Sequence, residues 1–105
     1  MSMVIIETPI FTRQVLEILD DETYRALQTE LIARPDAGAI IPGSGGLRKI
    51  RWAGSGHGKR GGIRVIYYWI TADDQIFILY MYPKNERGDL TPAQLRVLRQ
   101  LIKEK

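Results

Sequence analysis

The residues with the clearest capacity for chemistry are basic, and they cluster in the second half of the chain. The segment from Arg48 to Tyr68 contains six lysines and arginines, one histidine (His57) and no aspartate or glutamate. Cations that meet in one hollow can bind a phosphate group and stabilise the added charge of a pentavalent transition state. Such a run can equally be an ordinary solvated face, and charge alone favours neither interpretation. The six basic residues are Arg48, Lys49, Arg51, Lys59, Arg60 and Arg64.

Strand periodicity predicts which of these cations share a surface. The segment Leu47–Ala53 is a strand candidate, so Lys49 and Arg51 lie on one face while Ile50 and Trp52 lie on the other. The apolar pair should face the helices. Lys49 and Arg51 are therefore expected together on the open face.

Two later strand candidates can add to that face. In Ile63–Thr71, Arg64 shares a face with Tyr68, and in Gln75–Tyr82 the last residue shares its parity with Lys84. If these faces coincide with the open one, several cations and an aromatic ring converge with no carboxylate nearby. The alternative is that Arg64 extends along the sheet to solvent while the tyrosines border the core. Periodicity permits both arrangements.

A cationic hollow with an aromatic rim suits one reaction in particular. An aromatic side chain can stack on an unpaired base, a contact worth about 1–3 kcal/mol. The chain has no cysteine and one histidine, which excludes thiolate catalysis, disulfides and a multi-histidine metal site. We therefore expect no metal and no cofactor. The fitting reaction is attack of a ribose 2′-OH on its own phosphate, which cleaves RNA and not DNA.

The glycine-rich stretch 54–62 resembles two nucleotide-binding motifs and fits neither. Its glycines match G-x-G-x-x-G, but a strand follows where a dinucleotide fold needs a helix. As a phosphate-binding P-loop it has Ala53 in place of the first glycine, and Arg60 where a serine or threonine should bind magnesium. We predict a flexible hairpin loop, with Lys59 and Arg60 contacting phosphate at its tip.

Apolar periodicity predicts one α+β domain over residues 1–105. A short strand precedes two helices that begin at Thr8 and at the acidic segment Asp20–Glu22. The proline- and glycine-rich stretch 34–46 is predicted as a loop, and Thr91–Gln94 forms a capping box for a last helix. The expected order is β-α-α-β-β-β-α, with the helices on one face of a curved antiparallel sheet.

Charge and hydropathy restrict the environment of the protein. Residues 1–47 carry three arginines and seven acidic residues, whereas residues 48–105 carry twelve basic and five acidic residues. The basic half points to a polyanionic partner if the charges share a surface. No apolar run approaches the roughly 20 residues of a membrane helix, and the N-terminus lacks the features of a signal peptide. We predict a soluble cytoplasmic protein without membrane contact.

Three segments carry a resemblance to a known family. The runs Gly46–Ala53, Gly58–Tyr68 and Tyr82–Glu86 resemble the RelE/HigB toxins of type II toxin–antitoxin systems, and the HigB2-like branch most closely. The resemblance covers nearly the whole chain. The segment Lys-Arg-Gly-Gly-x-Arg followed by a β-branched residue and Ile-Tyr-Tyr is its most specific part.

The resemblance implies a fold related to the small microbial ribonucleases and a toxin that inhibits translation. It implies a hydrolase, an mRNA interferase that cuts mRNA in the ribosomal A site, and an antitoxin that often carries a helix-turn-helix domain. Lys49, Arg51, Arg64, Tyr82 and Lys84 are the expected catalytic residues. The expected RNA-binding residues are Arg48, Lys59, Arg60, Tyr68 and Arg87.

The sequence departs from the family pattern near its C-terminal end. RelE uses a tyrosine there in cleavage, whereas Asp89-Leu90-Thr91 offers none, and Tyr82 is a substitute from another position. Asn85 stands where the family can have an arginine. The sequence leaves two candidates for the general base. One is His57, and the other is Lys49, if neighbouring cations favour the neutral form of the lysine. A non-enzymatic toxin of the ParE kind and a plain nucleic-acid-binding module are the alternative functions on this fold.

Overall fold

A five-stranded sheet with helices on both faces forms the described part of the chain. The computed structural model describes residues 3–53, 62–84 and 89–103. In chain order the elements are β1 (Val4–Glu7), α1 (Pro9–Ile18), α2 (Asp21–Ala33), β2 (Ala39–Ile40), β3 (Arg48–Trp52), β4 (Ile63–Ile70), β5 (Gln75–Pro83) and α3 (Pro92–Lys103). The strands lie in the order β1-β5-β4-β3-β2. β1 runs parallel to β5, and the other neighbouring strands are antiparallel.

Side-chain caps fix where the helices begin. The Oγ1 atom of Thr8 accepts a hydrogen bond from the N–H of Phe11 at 3.1 Å, and Pro9 occupies the first turn of α1. Asp20 caps α2 by accepting from the N–H of Thr23 at 2.7 Å. Ahead of α3, Thr91 and Gln94 bond reciprocally, at 3.1 Å and 2.8 Å. The predicted capping box is therefore confirmed.

Alternation along the strands divides the apolar residues into two layers. The first layer lies between the sheet and helices α1 and α2, and it includes Phe11, Leu27, Leu31, Ile50, Val65, Tyr67, Ile78 and Met81. The second lies between the sheet and α3, and it includes Leu47, Ile66, Phe77, Leu79, Tyr82, Leu95 and Leu98. The second layer is the one that matters for the site, since the basic strand residues share its face.

The predicted α+β class is confirmed, and the structure adds three features to it. The sheet is mixed, because β1 pairs in parallel with β5. A two-residue strand, β2, lies within the stretch predicted as a loop. The expectation that all helices share one face is wrong for α3, because its apolar residues Leu95 and Leu98 pack on the face opposite to α1 and α2. No helix of the described residues is long and apolar enough to cross a membrane.

Candidate nucleic-acid interface

Strand register places three of the predicted site residues in one row across the sheet. Arg51 on β3 lies directly opposite Arg64 on β4, and Arg64 lies directly opposite Tyr82 on β5. Directly paired residues of antiparallel strands project from the same face, with Cβ atoms roughly 5 Å apart. The row therefore joins two guanidinium groups and a phenol on the α3 face. The sequence left the face of Arg64 open, and the register places it on the face of Lys49 and Arg51.

The members of the row differ in their exposure to solvent. Arg51 is exposed, whereas Arg64 is 9% and Tyr82 3% exposed. A charge at that depth needs partners, and Arg64 makes interactions within the protein. Arg64 and Tyr82 are thus held by their surroundings, while Arg51 reaches the surface. A buried cation beside an exposed one can act strongly on a ligand, since its charge is less screened by water.

A groove of about 460 Å³ opens beside this row. Lys49, Ile66 and Tyr82 line it from β3, β4 and β5. One side is formed by residues 39–42, which include β2, and the other by the segment from Asp89 to the first turn of α3. The depression is large enough for part of a nucleotide, with an apolar floor and polar groups at its edge.

Lys49 makes an ion pair at this groove that the sequence did not predict. Its Nζ atom donates to Oδ1 of Asp89 at 2.9 Å. The hydrogen bond from Lys49, the charge of Lys49 and the charge of Arg64 all lower the pKa of Asp89 below its ordinary value of 3.8. The expectation that the cations converge without a nearby carboxylate is therefore wrong. Asp89 lies forty residues from Lys49 in sequence, so no local sequence pattern predicts this ion pair.

The pairing with Asp89 also bears on the general base. The Nζ atom of Lys49, one of the two candidates, is engaged by Oδ1 of Asp89. The other candidate base, His57, lies outside the described residues. Lys49 lines the groove as the partner of Asp89.

The remaining predicted residues fall into three positions. Lys84 follows β5, and its N–H donates to the carbonyl of Gly62 at 3.2 Å, which brings it to the end of the sheet where Arg64 lies. Arg48 and Tyr68 lie away from the groove. Lys59, Arg60 and Arg87, together with His57 and Asn85, lie outside the described residues.

Arg48 is directed to the face of the sheet opposite the groove. Its Nη1 atom donates to the carbonyl of Gly38 at 2.7 Å, and its guanidinium lies 5.9 Å from the ring centroid of Trp69. Trp69 packs against the α1–α2 layer. The strand alternation that puts Lys49 and Arg51 in the site thus puts Arg48 on the other side.

Tyr68 shares the α3 face with Arg64 but lies farther along β4. Its ring is covered by the guanidinium of Arg99 at 5.0 Å. Neither Tyr68 nor Arg99 lines the groove beside Lys49. Tyr80 is the aromatic neighbour of the site, with its ring centroid 6.2 Å from that of Tyr82.

Helix α1 fixes the part of β5 that carries Tyr82. The side-chain amide of Gln14 donates to the carbonyl of Met81 at 2.8 Å and accepts from the N–H of Met81 at 2.8 Å. β1 pairs with β5 over residues 75–78. Beyond the end of β1, Gln14 therefore provides the hydrogen-bond partners for the backbone N–H and carbonyl of Met81 at the edge of β5. Tyr82 is the next residue. Its position therefore depends on a contact from the opposite side of the sheet.

The described residues contain no group of three histidine, cysteine, aspartate or glutamate side chains that could bind a metal ion. Lys49, Asp89 and the phenol of Tyr82 line the groove, and the guanidinium-bearing residues Arg51 and Arg64 lie in the row beside it. Guanidinium and ammonium groups donate hydrogen bonds to phosphate oxygens, and the phenol can donate a proton.

Comparisons with known proteins bear on the family and the fold. A family model described as the RelE toxin of the RelE/RelB toxin–antitoxin system matches residues 5–105. Among solved structures, a doubly substituted E. coli toxin RelE in the free state matches with a TM-score of 0.62 at 13% sequence identity. The match covers 97% of this chain and 98% of that one, and at this identity it is a likeness of fold.

Proposed function

The chain belongs to the RelE toxin family of toxin–antitoxin systems, and from this membership we propose that it is an endoribonuclease that cuts mRNA in the ribosomal A site. The observation that carries the proposal is the row of Arg51, Arg64 and Tyr82 beside Lys49. Lys49 and Tyr82 line the groove, and Arg51 and Arg64 lie beside it on the same face of the sheet. Positive charge with a proton donor is the combination that phosphodiester cleavage by a neighbouring 2′-OH requires.

In the proposed reaction, the 2′-hydroxyl gives its proton to water as its oxygen attacks the adjacent phosphorus, and the bond from phosphorus to the 5′-oxygen breaks. The products are a 2′,3′-cyclic phosphate and a 5′-hydroxyl. Arg64 and Arg51 stabilise the charge on the non-bridging oxygens, and each such donor is typically worth about 100- to 1000-fold in rate. Tyr82 is the candidate donor of the proton that the 5′-oxygen takes up. Lys49 and Lys84 bind the flanking phosphate charge.

Family membership also supplies the partners. Toxins of this family have a cognate antitoxin, and we propose one of the helix-turn-helix kind, in keeping with the resemblance to the HigB2-like branch. Cleavage on the ribosome places the protein in the cytoplasm. Dependence on the ribosome fits a site that provides cations but no assigned base, since a bound complex can orient the 2′-OH for attack.

Cleavage of mRNA on programmed ribosomes tests the proposal. Purified toxin should cut ribosome-bound mRNA at the A-site codon and leave the same free mRNA largely intact, as seen by primer extension. Arg64→Ala should lower the rate about 100- to 1000-fold. Arg25→Ala, at an exposed position of α2, removes the same charge far from the groove and should cut at the wild-type rate.

Two results would contradict the proposal. One is wild-type protein that cuts no mRNA on ribosomes but inhibits supercoiling by DNA gyrase, which would favour the ParE-like alternative. The other is Arg64→Ala protein that cuts at the wild-type rate. Circular dichroism and antitoxin binding, both expected to be unchanged, separate loss of activity from loss of fold.

A further inference from the structure

A second cationic hollow lies on the α3 face, beyond the groove. It measures about 340 Å³ and is lined by the loop residues Gly43, Ser44 and Gly45 and by Leu95, Arg96 and Arg99 of α3. Leu95 also lines the first groove, so the two depressions adjoin. None of the lining residues is acidic.

Arg99 is held in a fixed orientation in this hollow. Its Nε atom donates to the carbonyl of Gly45 at 3.1 Å, and its guanidinium lies over the ring of Tyr68 at 5.0 Å. The salt bridges among the described residues join other pairs, so no described carboxylate neutralises Arg99. A guanidinium oriented in advance loses less conformational entropy when it binds an oxyanion.

The glycines of the loop make this arrangement possible. Gly45 has φ +76°, and a Cβ atom there would lie 2.7 Å from Nε of Arg99. Gly46 has φ +102°, and a Cβ atom there would lie 3.0 Å from the ring of Tyr68. A side chain at either position would be strained and would press on the stacked pair. Gly45 and Gly46 therefore leave the room that the stacked Arg99 and Tyr68 side chains occupy.

Arg96 supplies the second charge. It precedes Arg99 by one helical turn, which puts the two side chains on neighbouring positions of the α3 surface. Arg96 is exposed and makes no salt bridge with the described residues. Two guanidinium groups at one concavity, neither in a salt bridge with a described carboxylate, form a site for a phosphate group.

We propose that this hollow, formed by Arg96, Arg99 and the Gly43–Gly46 loop, is a second phosphodiester-binding site that holds RNA backbone outside the cleavage groove. The inference rests on the proposed function for its ligand. From Pro92 at the groove to Arg99 is about 10 Å along the axis of α3. That is within reach of a neighbouring part of one RNA strand, or of ribosomal RNA beside it.

Arg96→Ala is the most direct test, because Arg96 takes no part in the contact that fixes the loop. Binding is measured by fluorescence anisotropy to single-stranded 2′-O-methyl RNA, which cannot undergo 2′-OH attack, and separately to ribosomes. The variant should bind about three- to tenfold more weakly at low salt, and the slope of log K against log salt should become shallower by about 0.7. Arg25→Ala, with the same change of charge on α2, should match the wild type.

Gly45→Ala tests the placement of the charge and not its amount. The variant keeps both arginines but displaces the Arg99 guanidinium, so its affinity for RNA should fall while its net charge is unchanged. Thermal unfolding and circular dichroism establish that the variant is folded. A folded Gly45→Ala protein with wild-type affinity would overturn the role of Arg99.

The outcomes separate the sources of the phosphate and the two proposals. Weaker binding of Arg96→Ala to both probes supports a site for the mRNA strand, and weaker binding to ribosomes alone supports a site for ribosomal RNA. Equal behaviour of Arg96→Ala and Arg25→Ala on both probes would overturn the second site. The proposed function would stand in that case if Arg64→Ala still abolished cleavage. A wild-type protein that binds both probes through Arg96 yet cuts nothing would overturn the nuclease proposal and leave the second site supported.

Discussion

The ammonium group of Lys49 lies 2.9 Å from a carboxylate oxygen of Asp89, at the edge of the groove. The Asp89 side chain is 86% exposed and that of Lys49 is 32% exposed, so the pair is open to water and to a competing anion. In the proposed function, RNA phosphate binds where this carboxylate now lies. In the free protein, the Asp89 carboxylate would therefore compete weakly with RNA phosphate for the Lys49 ammonium group.

Replacing Asp89 should strengthen binding to RNA. In Asp89→Asn protein the competing charge is gone, and exposed ion pairs are weak, so the gain in affinity should be at most about fivefold at low salt. The slope of log K against log salt should become steeper, because one more cation is available to phosphate. Anisotropy with a 2′-O-methyl RNA measures both quantities.

Asp73→Asn is the matched control for that substitution. Asp73 is an exposed residue of the turn between β4 and β5, and its replacement changes the net charge equally. If Asp89→Asn and Asp73→Asn bind RNA alike, the effect is one of net charge alone and the competition is disproved. A loss of cleavage in Asp89→Asn with unchanged binding would instead assign Asp89 a part in the reaction.

Substitutions of Arg48 and Arg51 should affect different properties of the protein, although the two residues lie on the same strand. Arg51→Ala should weaken RNA binding and slow cleavage, because Arg51 lies opposite Arg64 on the groove face. Arg48→Ala should leave cleavage near the wild-type rate. It should lower the free energy of unfolding by about 1 kcal/mol, through loss of the contact with Trp69 and the bond to Gly38.

Cleavage on ribosomes and urea unfolding of both variants check this pair. The comparison carries its own control, since the two substitutions remove the same side chain three residues apart. Reduced cleavage by folded Arg48→Ala protein would mean that RNA also contacts the α1–α2 face of the sheet.

Alternation along the strands predicted that Lys49 and Arg51 share a face, whereas the face of Arg64 followed only from the register of β3 against β4. Lys49, Arg51 and Arg64 follow the period of two without interruption, because no bulge lies between them and their partners. The irregularity in the sheet falls between Ile66 and Tyr67, where β4 pairs with β5, and places Leu79 and Tyr80 in the same layer. Tyr82 lies on the same side of that irregularity as its partner Arg64, so alternation holds between these two residues.

Contacts between distant segments could not be predicted in the same way. The face on which α3 packs and the approach of Asp89 to Lys49 depend on the path of the chain after β5. Nothing in the local pattern of Thr91–Gln94 indicates that path, since a capping box fixes where a helix starts and not where it packs. Arg99 likewise has an ordinary helical position in the sequence, and only the fold brings it onto Tyr68 and Gly45.

Loss of the Tyr82 hydroxyl should slow cleavage without weakening RNA binding. The ring is 3% exposed and packed in the second layer, so Tyr82→Phe keeps the ring in place and removes the hydroxyl. A general acid typically accelerates a reaction about 100- to 10,000-fold. The cleavage rate at saturating toxin should therefore decrease by a factor within that range.

Tyr80→Phe is the control for Tyr82→Phe. The Tyr80 ring lies beside that of Tyr82, yet Tyr80 does not line the groove, so this variant should cleave normally. Equal rates for Tyr82→Phe and the wild type would remove the phenol from the mechanism.

The carboxylate that caps α2 should make the stability of the protein depend on pH in acid. Hydrogen bonds from Thr23 lower the pKa of Asp20 below its ordinary value of 3.8. The folded state therefore favours the charged form. This stabilisation is complete above the unfolded-state pKa and is lost as the pH falls through the lower, folded-state value.

Asp20→Asn retains a capping oxygen but does not titrate. Melting temperatures from pH 2 to 7 should show the wild type losing stability relative to Asp20→Asn below about pH 4. A constant difference between the two across that range would show that the charge of Asp20 contributes nothing to folding.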